Sequence, residues 1–214
     1  MSNFTGKSVV ITGGTTGIGL ATAKRFLSEG AQVAITGQNA DRLQEAKDTL
    51  GDVLAIQADV QSLADIDAMV ETVKSEFGKI DVLFVNAGIV QMSPLAQVDE
   101  SHFDRQMTIN FKGAFFTIQK TLDILNDAGS IIINTSVASQ SGTEGMGVYS
   151  ASKAALRSLA RTLTNELSPR HIRVHIVSPG PIETPIYGKL GLHEEALQAF
   201  SQTMSANLRC GRFG

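Results

Sequence analysis

Six short runs rich in Val, Ile and Thr alternate along this chain with long amphipathic stretches, and few architectures accept that pattern. The runs span residues 8–12, 32–36, 53–57, 82–86, 130–135 and 173–178. Each is apolar almost throughout rather than at every second residue, as a strand buried on both faces requires. The stretches between them, 17–29, 40–50, 63–77, 100–126 and 149–167, have the length and period of helices, and a further helix is expected at about 193–206. Buried strands separated by helices imply a parallel sheet covered on both sides, a doubly wound α/β fold in three layers. Gly30, Gly51 and Gly78 follow the first three helices, where a left-handed residue closes a helix. No linker, repeat or low-complexity tract interrupts the 214 residues, so a single domain is expected over 1–214.

Composition narrows the classes of partner. A formal charge of −3, with no cluster of Lys and Arg, argues against a surface that tracks nucleic-acid phosphates. No apolar run approaches the ~20 residues of a membrane span. The opening Met1-Ser-Asn-Phe-Thr-Gly-Lys7 lacks the apolar core of a signal peptide, so a cytoplasmic location is expected. Cys210 is the only cysteine, and His102, His171, His175 and His193 show no pairing or ligand spacing. Neither a disulfide framework nor a metal site is expected.

Two patterns carry chemistry. Thr12-Gly13-Gly14-Thr15-Thr16-Gly17-Ile18-Gly19 joins the first strand to the first helix. Glycines there permit a tight turn and let backbone N–H groups approach a pyrophosphate at a helix N-terminus. Tyr149 and Lys153 stand four residues apart in a helical stretch, hence on one face. A free phenol titrates near pKa ~10 and exchanges protons poorly at neutral pH. A lysine charge beside it favours the phenolate, which suits proton exchange with a carbonyl or alcohol oxygen.

Taken together, Thr12-Gly13-x-x-x-Gly17-Ile18-Gly19, Asn86-Ala87-Gly88, Ser136, Tyr149-x-x-x-Lys153 and Pro179-Gly180 resemble the single-domain short-chain dehydrogenases/reductases. The motifs follow that family's order and spacing from residue 5 to the end. The resemblance implies a Rossmann-type sheet in the order 3-2-1-4-5-6, usually with a seventh strand at the edge. It implies a catalytic set of Asn110, Ser136, Tyr149 and Lys153. Tyr149 would exchange the proton, and Lys153 would tune it and hold the nicotinamide ribose. Ser136 would hold the substrate oxygen, and Asn110 would kink its helix and keep a water that relays protons to Lys153. The family's cofactor contacts fall on Gly13, Thr15, Gly17, Ile18, Gly19, Gln38, Asp59, Val60, Asn86, Ala87, Gly88, Tyr149, Lys153, Pro179, Gly180, Ile182 and Thr184.

On residues alone, several of these positions have plainer readings. Asn86-Ala-Gly88 also suits a polar turn at a strand end, and Asp59 a solvated aspartate. Thr135, Ser139 and Ser141 compete with Ser136 for the substrate oxygen. Asn110 suits a solvent-facing helix position, and the Pro179–Pro185 stretch a rigid turn. The apolar residues of 182–208, among them Ile186, Leu190 and Phe200, either form a lid over a hydrophobic ketone or simply pack that segment. Tyr187 is placed at the substrate mouth.

The second strand ends Ile35-Thr36-Gly37-Gln38-Asn39, without the carboxylate that would bind a ribose diol and repel a 2′-phosphate, so NADP(H) is favoured over NAD(H). The expected activity is hydride transfer between that cofactor and a carbonyl or alcohol, with a non-catalytic dinucleotide sensor or scaffold as the alternative. Helices 100–126 and 149–167 have small and apolar residues on more than one side, which suggests a homodimer or homotetramer. Relatives continue past a Gly-Arg-Phe-Gly like that at 211–214, so a final helix and edge strand are expected to be missing.

Overall fold

Side-chain alternation along the strands divides the interior into two apolar layers, one on each face of a sheet. The computed structural model describes residues 3–185, 195, 199 and 211–214. Most of the expected helix at 193–206 and of the 182–208 lid, with Tyr187 and Cys210, lies outside the described residues. Among the described residues, six parallel strands stand in the order β3-β2-β1-β4-β5-β6, as the resemblance implies. They are β1 (Ser8–Thr12), β2 (Gln32–Gly37), β3 (Leu54–Gln57), β4 (Ile80–Val85), β5 (Leu125–Asn134) and β6 (Arg173–Val177).

In β1, Val9 and Ile11 join the layer under α1 (Gly17–Ser28) and α2 (Ala40–Leu50), while Val10 joins the opposite layer. That second layer is formed with α3 (Leu63–Phe77), α5 (Ala114–Thr121) and α6 (Gly147–Glu166), and α4 (Glu100–Met107) leans on α6. All five residues of β1 are buried, which is why its sequence is apolar without alternation. β6 differs. Ile176 and Val177 are 37% and 46% exposed, because this strand is the edge of the described sheet and pairs only with β5.

Two boundaries depart most from the sequence expectation. The stretch 100–126 is not one helix: α4 passes into a π-helical segment, Thr108–Gly113, before α5, and α5 stops at Thr121. The wider π turn carries Ile109, Asn110 and Gly113 inward together. Gly113 sits so close to the β3–α3 connection that a Cβ there would lie 2.6 Å from the Val60 carbonyl oxygen. The fifth strand begins five residues earlier than its apolar run, at Leu125, which pairs with Ile80. Residues 126–129 then bulge out, with Ala128 at φ 59°, before Ser130 pairs with Val82.

Three helices start on side-chain caps. Asn39, Ser62 and Asp99 each accept a backbone N–H through the side chain at the N-termini of α2, α3 and α4. Gly51 and Gly78 close α2 and α3 at φ 78° and 71°. α1 and α6 start without a side-chain cap and hold no acidic residue in the first turn; the N-cap of α1 is Thr16. Strand order reverses between β1 and β4, and in such sheets the crevice beyond the strand ends at that reversal receives the ligand.

Candidate active site

The carboxyl ends of β1, β2, β4 and β5 open onto one cleft, with the N-terminus of α1 at its floor. Gly13, Thr15, Gly17 and Ile18 line it from the glycine loop, and Gln38, Asp59 and Val60 from the ends of β2 and β3. Asn86, Ala87 and Gly88 line it beyond β4, and Ser136, Tyr149 and Lys153 beyond β5 and on α6. Pro179, Gly180, Ile182 and Thr184 close the side beyond β6. Of the catalytic and cofactor-binding residues expected from the resemblance, Gly19 and Asn110 stand off the cleft wall. A Cβ at Gly19 would lie 2.3 Å from the Gly13 carbonyl oxygen and 2.7 Å from Asn86 Nδ2, so its role is close packing of loop against strand.

The residues present fit a dinucleotide. The uncapped, acid-free start of α1 faces the cleft through Gly17 and Ile18, offering N–H groups and a positive helix end to an anion. Gly13 and Gly17 hold positive φ, 65° and 53°, in the turn that exposes them. Two buried polar atoms of cleft-lining residues, Thr36 Oγ1 and Asn134 Oδ1, have no hydrogen-bond partner within the protein, a state a polar ligand would relieve.

Asn86 and Asn134 link the strand ends at the cleft. Asn86 Nδ2 donates to the carbonyls of Thr12 and Gly13, both at 3.0 Å, and Asn86 Oδ1 accepts from Asn134 Nδ2 at 2.8 Å. The Asn134 carbonyl in turn accepts from Lys153 Nζ at 2.9 Å. Asn134 was not anticipated from the sequence. Its signal is a carboxamide ending the otherwise apolar run Ile131-Ile-Ile133, at a strand end that faces the crevice.

The competing hydroxyls separate by their bonds. Thr135 Oγ1 is tied to the Val177 carbonyl and to Ser178 Oγ, and Ser139 Oγ donates to the Ser136 carbonyl at 2.7 Å. Ser141 is exposed on the cleft wall. Ser136 Oγ accepts from the Ala138 N–H, which steadies its rotamer, and it interacts with the Tyr149 phenol.

Asn110 is fully buried, not solvent-facing. Its carboxamide clasps the Ile89 backbone, accepting from N–H at 2.8 Å and donating to the carbonyl at 2.9 Å, and it donates to Ser152 Oγ at 3.1 Å. Ser152 Oγ donates to the Tyr149 carbonyl at 2.7 Å. Through Ser152, Asn110 therefore braces the first turn of α6.

Burial dominates the titrations. It pushes the Tyr149 phenol above its ordinary value, and the interaction with Ser136 acts in the opposite direction. This reverses the expected lowering by lysine: Lys153 Nζ lies 5.9 Å from the ring centroid and is directed at the Asn134 carbonyl. Lys153 itself is lowered to about 8 by burial.

A consequence is measurable in the cofactor-free protein. Because the folded pKa of about 8 lies below the unfolded value of 10.5, the unfolded chain retains this proton longer. The burial cost is fully present below pH 8 and is relieved as pH rises above it. Urea unfolding from pH 7 to 10 should show wild-type stability rising relative to Lys153→Met. Parallel curves over that range would contradict the assigned burial of a charged amine.

Comparison with known proteins agrees with this geometry. Residues 7–195 match the family model described as short chain dehydrogenase. The chain is 42% identical over 205 residues to the oxidoreductase asL5 of Sarocladium schorii, covering 94% of this chain and 82% of that protein. It is 38% identical over 215 residues to the 3-oxoacyl-[acyl-carrier-protein] reductase FabG of Thermotoga maritima, covering 98% and 85%. A solved short-chain dehydrogenase/reductase from Serratia marcescens superposes with a TM-score of 0.89 at 32% identity, over 99% of this chain and 86% of that one. The glycine loop, the switch-point cleft and these matches place the chain in the short-chain dehydrogenase/reductase family of NAD(P)-dependent oxidoreductases.

Proposed function

We propose that this protein reduces a hydrophobic ketone with NADPH, with Tyr149 delivering the proton. The observation that carries the reading is the placement of the Ser136 and Tyr149 hydroxyls on one cleft wall, with the Lys153 ammonium buried behind them. When bound, the nicotinamide supplies a hydride; the rest is the work of the chain. Ser136 Oγ donates to the carbonyl oxygen and stabilises the charge that develops there. Tyr149, kept protonated by burial, transfers its proton to that oxygen. The Lys153 charge stabilises the phenolate left behind, and Asn110 holds Tyr149 in place through Ser152. Oxidation of the alcohol runs the same steps backwards.

Support for a hydrophobic substrate comes from Val90, Val137 and Met146 on the same cleft. Support for reduction comes from the Thermotoga relative, a reductase by name. The preference for NADP(H) is favoured by the end of β2, which carries no carboxylate. A Cβ at Gly37 would lie 2.5 Å from Thr15 Cγ2, so an acid at Gly37 requires Thr15 to move. A homodimer through α4 and α6 is also proposed. Phe103 on α4 is 47% exposed, and the neighbouring α6 turns outward with Ala151, Ala154 and Ser158.

Tyr149→Phe should lower ketone turnover by roughly 10²–10⁴-fold while leaving NADPH affinity within about twofold, since only the transferable proton is lost. Nicotinamide absorbance and cofactor fluorescence titration read the two quantities. A variant retaining more than about a tenth of wild-type turnover contradicts the assignment. A wild-type protein that binds cofactor yet reduces no ketone in a broad panel favours the sensor reading instead. Light scattering should return a dimer or larger assembly, and Phe103→Asp should shift it towards monomer. A concentration-independent monomer mass for the wild type rules out the interface.

A further inference from the structure

We propose that Gln106 is a positioning residue for the substrate: it holds the loop at 89–93 in place as one wall of the cleft. The inference rests on the ketone-reduction reading above and assigns that wall its support. Gln106 is the one buried residue of α4, and it is fully buried. A carboxamide where an apolar side chain would pack is costly unless its hydrogen bonds are made. Here both ends of the amide are used. Oε1 accepts from the Gln91 N–H at 3.0 Å, and Nε2 donates to the Gln91 carbonyl at 3.2 Å. Nε2 also faces His102 Nε2 at 2.8 Å, so that ring nitrogen is the acceptor.

One side chain thus pairs both backbone groups of Gln91, as a neighbouring strand would. One turn on, Asn110 treats Ile89 in the same way, accepting from its N–H at 2.8 Å and donating to its carbonyl at 2.9 Å. Further along, the Ser93 N–H donates to the Gly145 carbonyl at 2.9 Å. The loop is therefore anchored at alternate residues, Ile89, Gln91 and Ser93. Ile89 and Val90 line the cleft, and Val90 is buried between the two carboxamide clasps. The last anchor joins the loop to the segment that carries Met146, also on the cleft. Asn110 braces α6 through Ser152 as well, whereas the Gln106 side chain bonds to the loop and to its own helix. Loss of the Gln106 clasp should alter where a substrate packs and leave proton transfer from Tyr149 intact.

The test compares the wild type with Gln106→Met, which keeps the side-chain length and removes both bonds to Gln91. Both are assayed with NADPH over a ketone panel from acetone to acetophenone and α-tetralone. For the ketone reduced best, KM should rise about fivefold to tenfold, as loss of a net hydrogen bond allows. kcat and NADPH affinity should stay within about twofold, the pattern of lost ground-state binding. Amide hydrogen exchange read by NMR should be at least about tenfold faster at Gln91 in the variant, with Ile89 still protected. Gln106→Glu keeps the acceptor and loses the donors; its KM should lie between the two, and it decides the matter where Gln106→Met fails to fold. Ketone reduction with KM unchanged in the variants overturns the positioning role and leaves the ketone reading intact. A wild type that reduces no ketone brings down that reading and the role with it. Unchanged exchange at Gln91, or a fall in kcat with protection lost at Ile89 too, also overturns the proposal.

Discussion

The Asn86 carboxamide spans the point where the strand order reverses, and the cleft depends on it. One end of the amide holds the Thr12 and Gly13 carbonyls, and the other receives Asn134. Thr12 Oγ1 completes the junction by accepting from the N–H groups of Asn86 and Ala87. The glycine loop, the end of β4 and the end of β5 are thereby fixed to one another in a single polar network. Buried networks of this kind are costly when incomplete and specify geometry when satisfied. Since Lys153 bonds to the Asn134 backbone, the network also ties the glycine loop to Lys153.

That arrangement sets stability against chemistry at one residue. Lys153 is 4% exposed and its hydrogen-bond partner among the described residues is a neutral carbonyl, so the protein compensates its charge poorly. The lowering of its pKa to about 8 expresses that cost. The same burial places a cation next to Tyr149 without exposing either group to water, where its field would be weak. Tyr149 is correspondingly held in its protonated form, the form a proton donor needs. Strained electrostatics of this sort concentrate at functional sites.

Much of this was legible because it rests on local rules. Uninterrupted apolar strands gave the parallel sheet, and the glycine loop between β1 and α1 gave the anion site. The Tyr149–Lys153 spacing put both residues on one cleft wall. What was not legible depends on tertiary contacts. The π-helical segment is stabilised by Asn110 clasping Ile89, twenty-one positions away, and no local pattern announces that pair. β5 begins at Leu125 because that residue finds Ile80 across a bulge. The direction of the Tyr149 shift turned on burial of the phenol, which spacing alone does not determine.

The central claim is that this cleft performs direct hydride transfer to a carbonyl carbon. Reduced cofactor carrying deuterium at both C4 positions, mixed with the protein and a bulky ketone, tests it through the mass spectrum of the alcohol. One deuterium on the carbinol carbon, with none lost to solvent, is the predicted result. An alcohol free of label, or no alcohol across a ketone panel despite saturated cofactor binding, would contradict it.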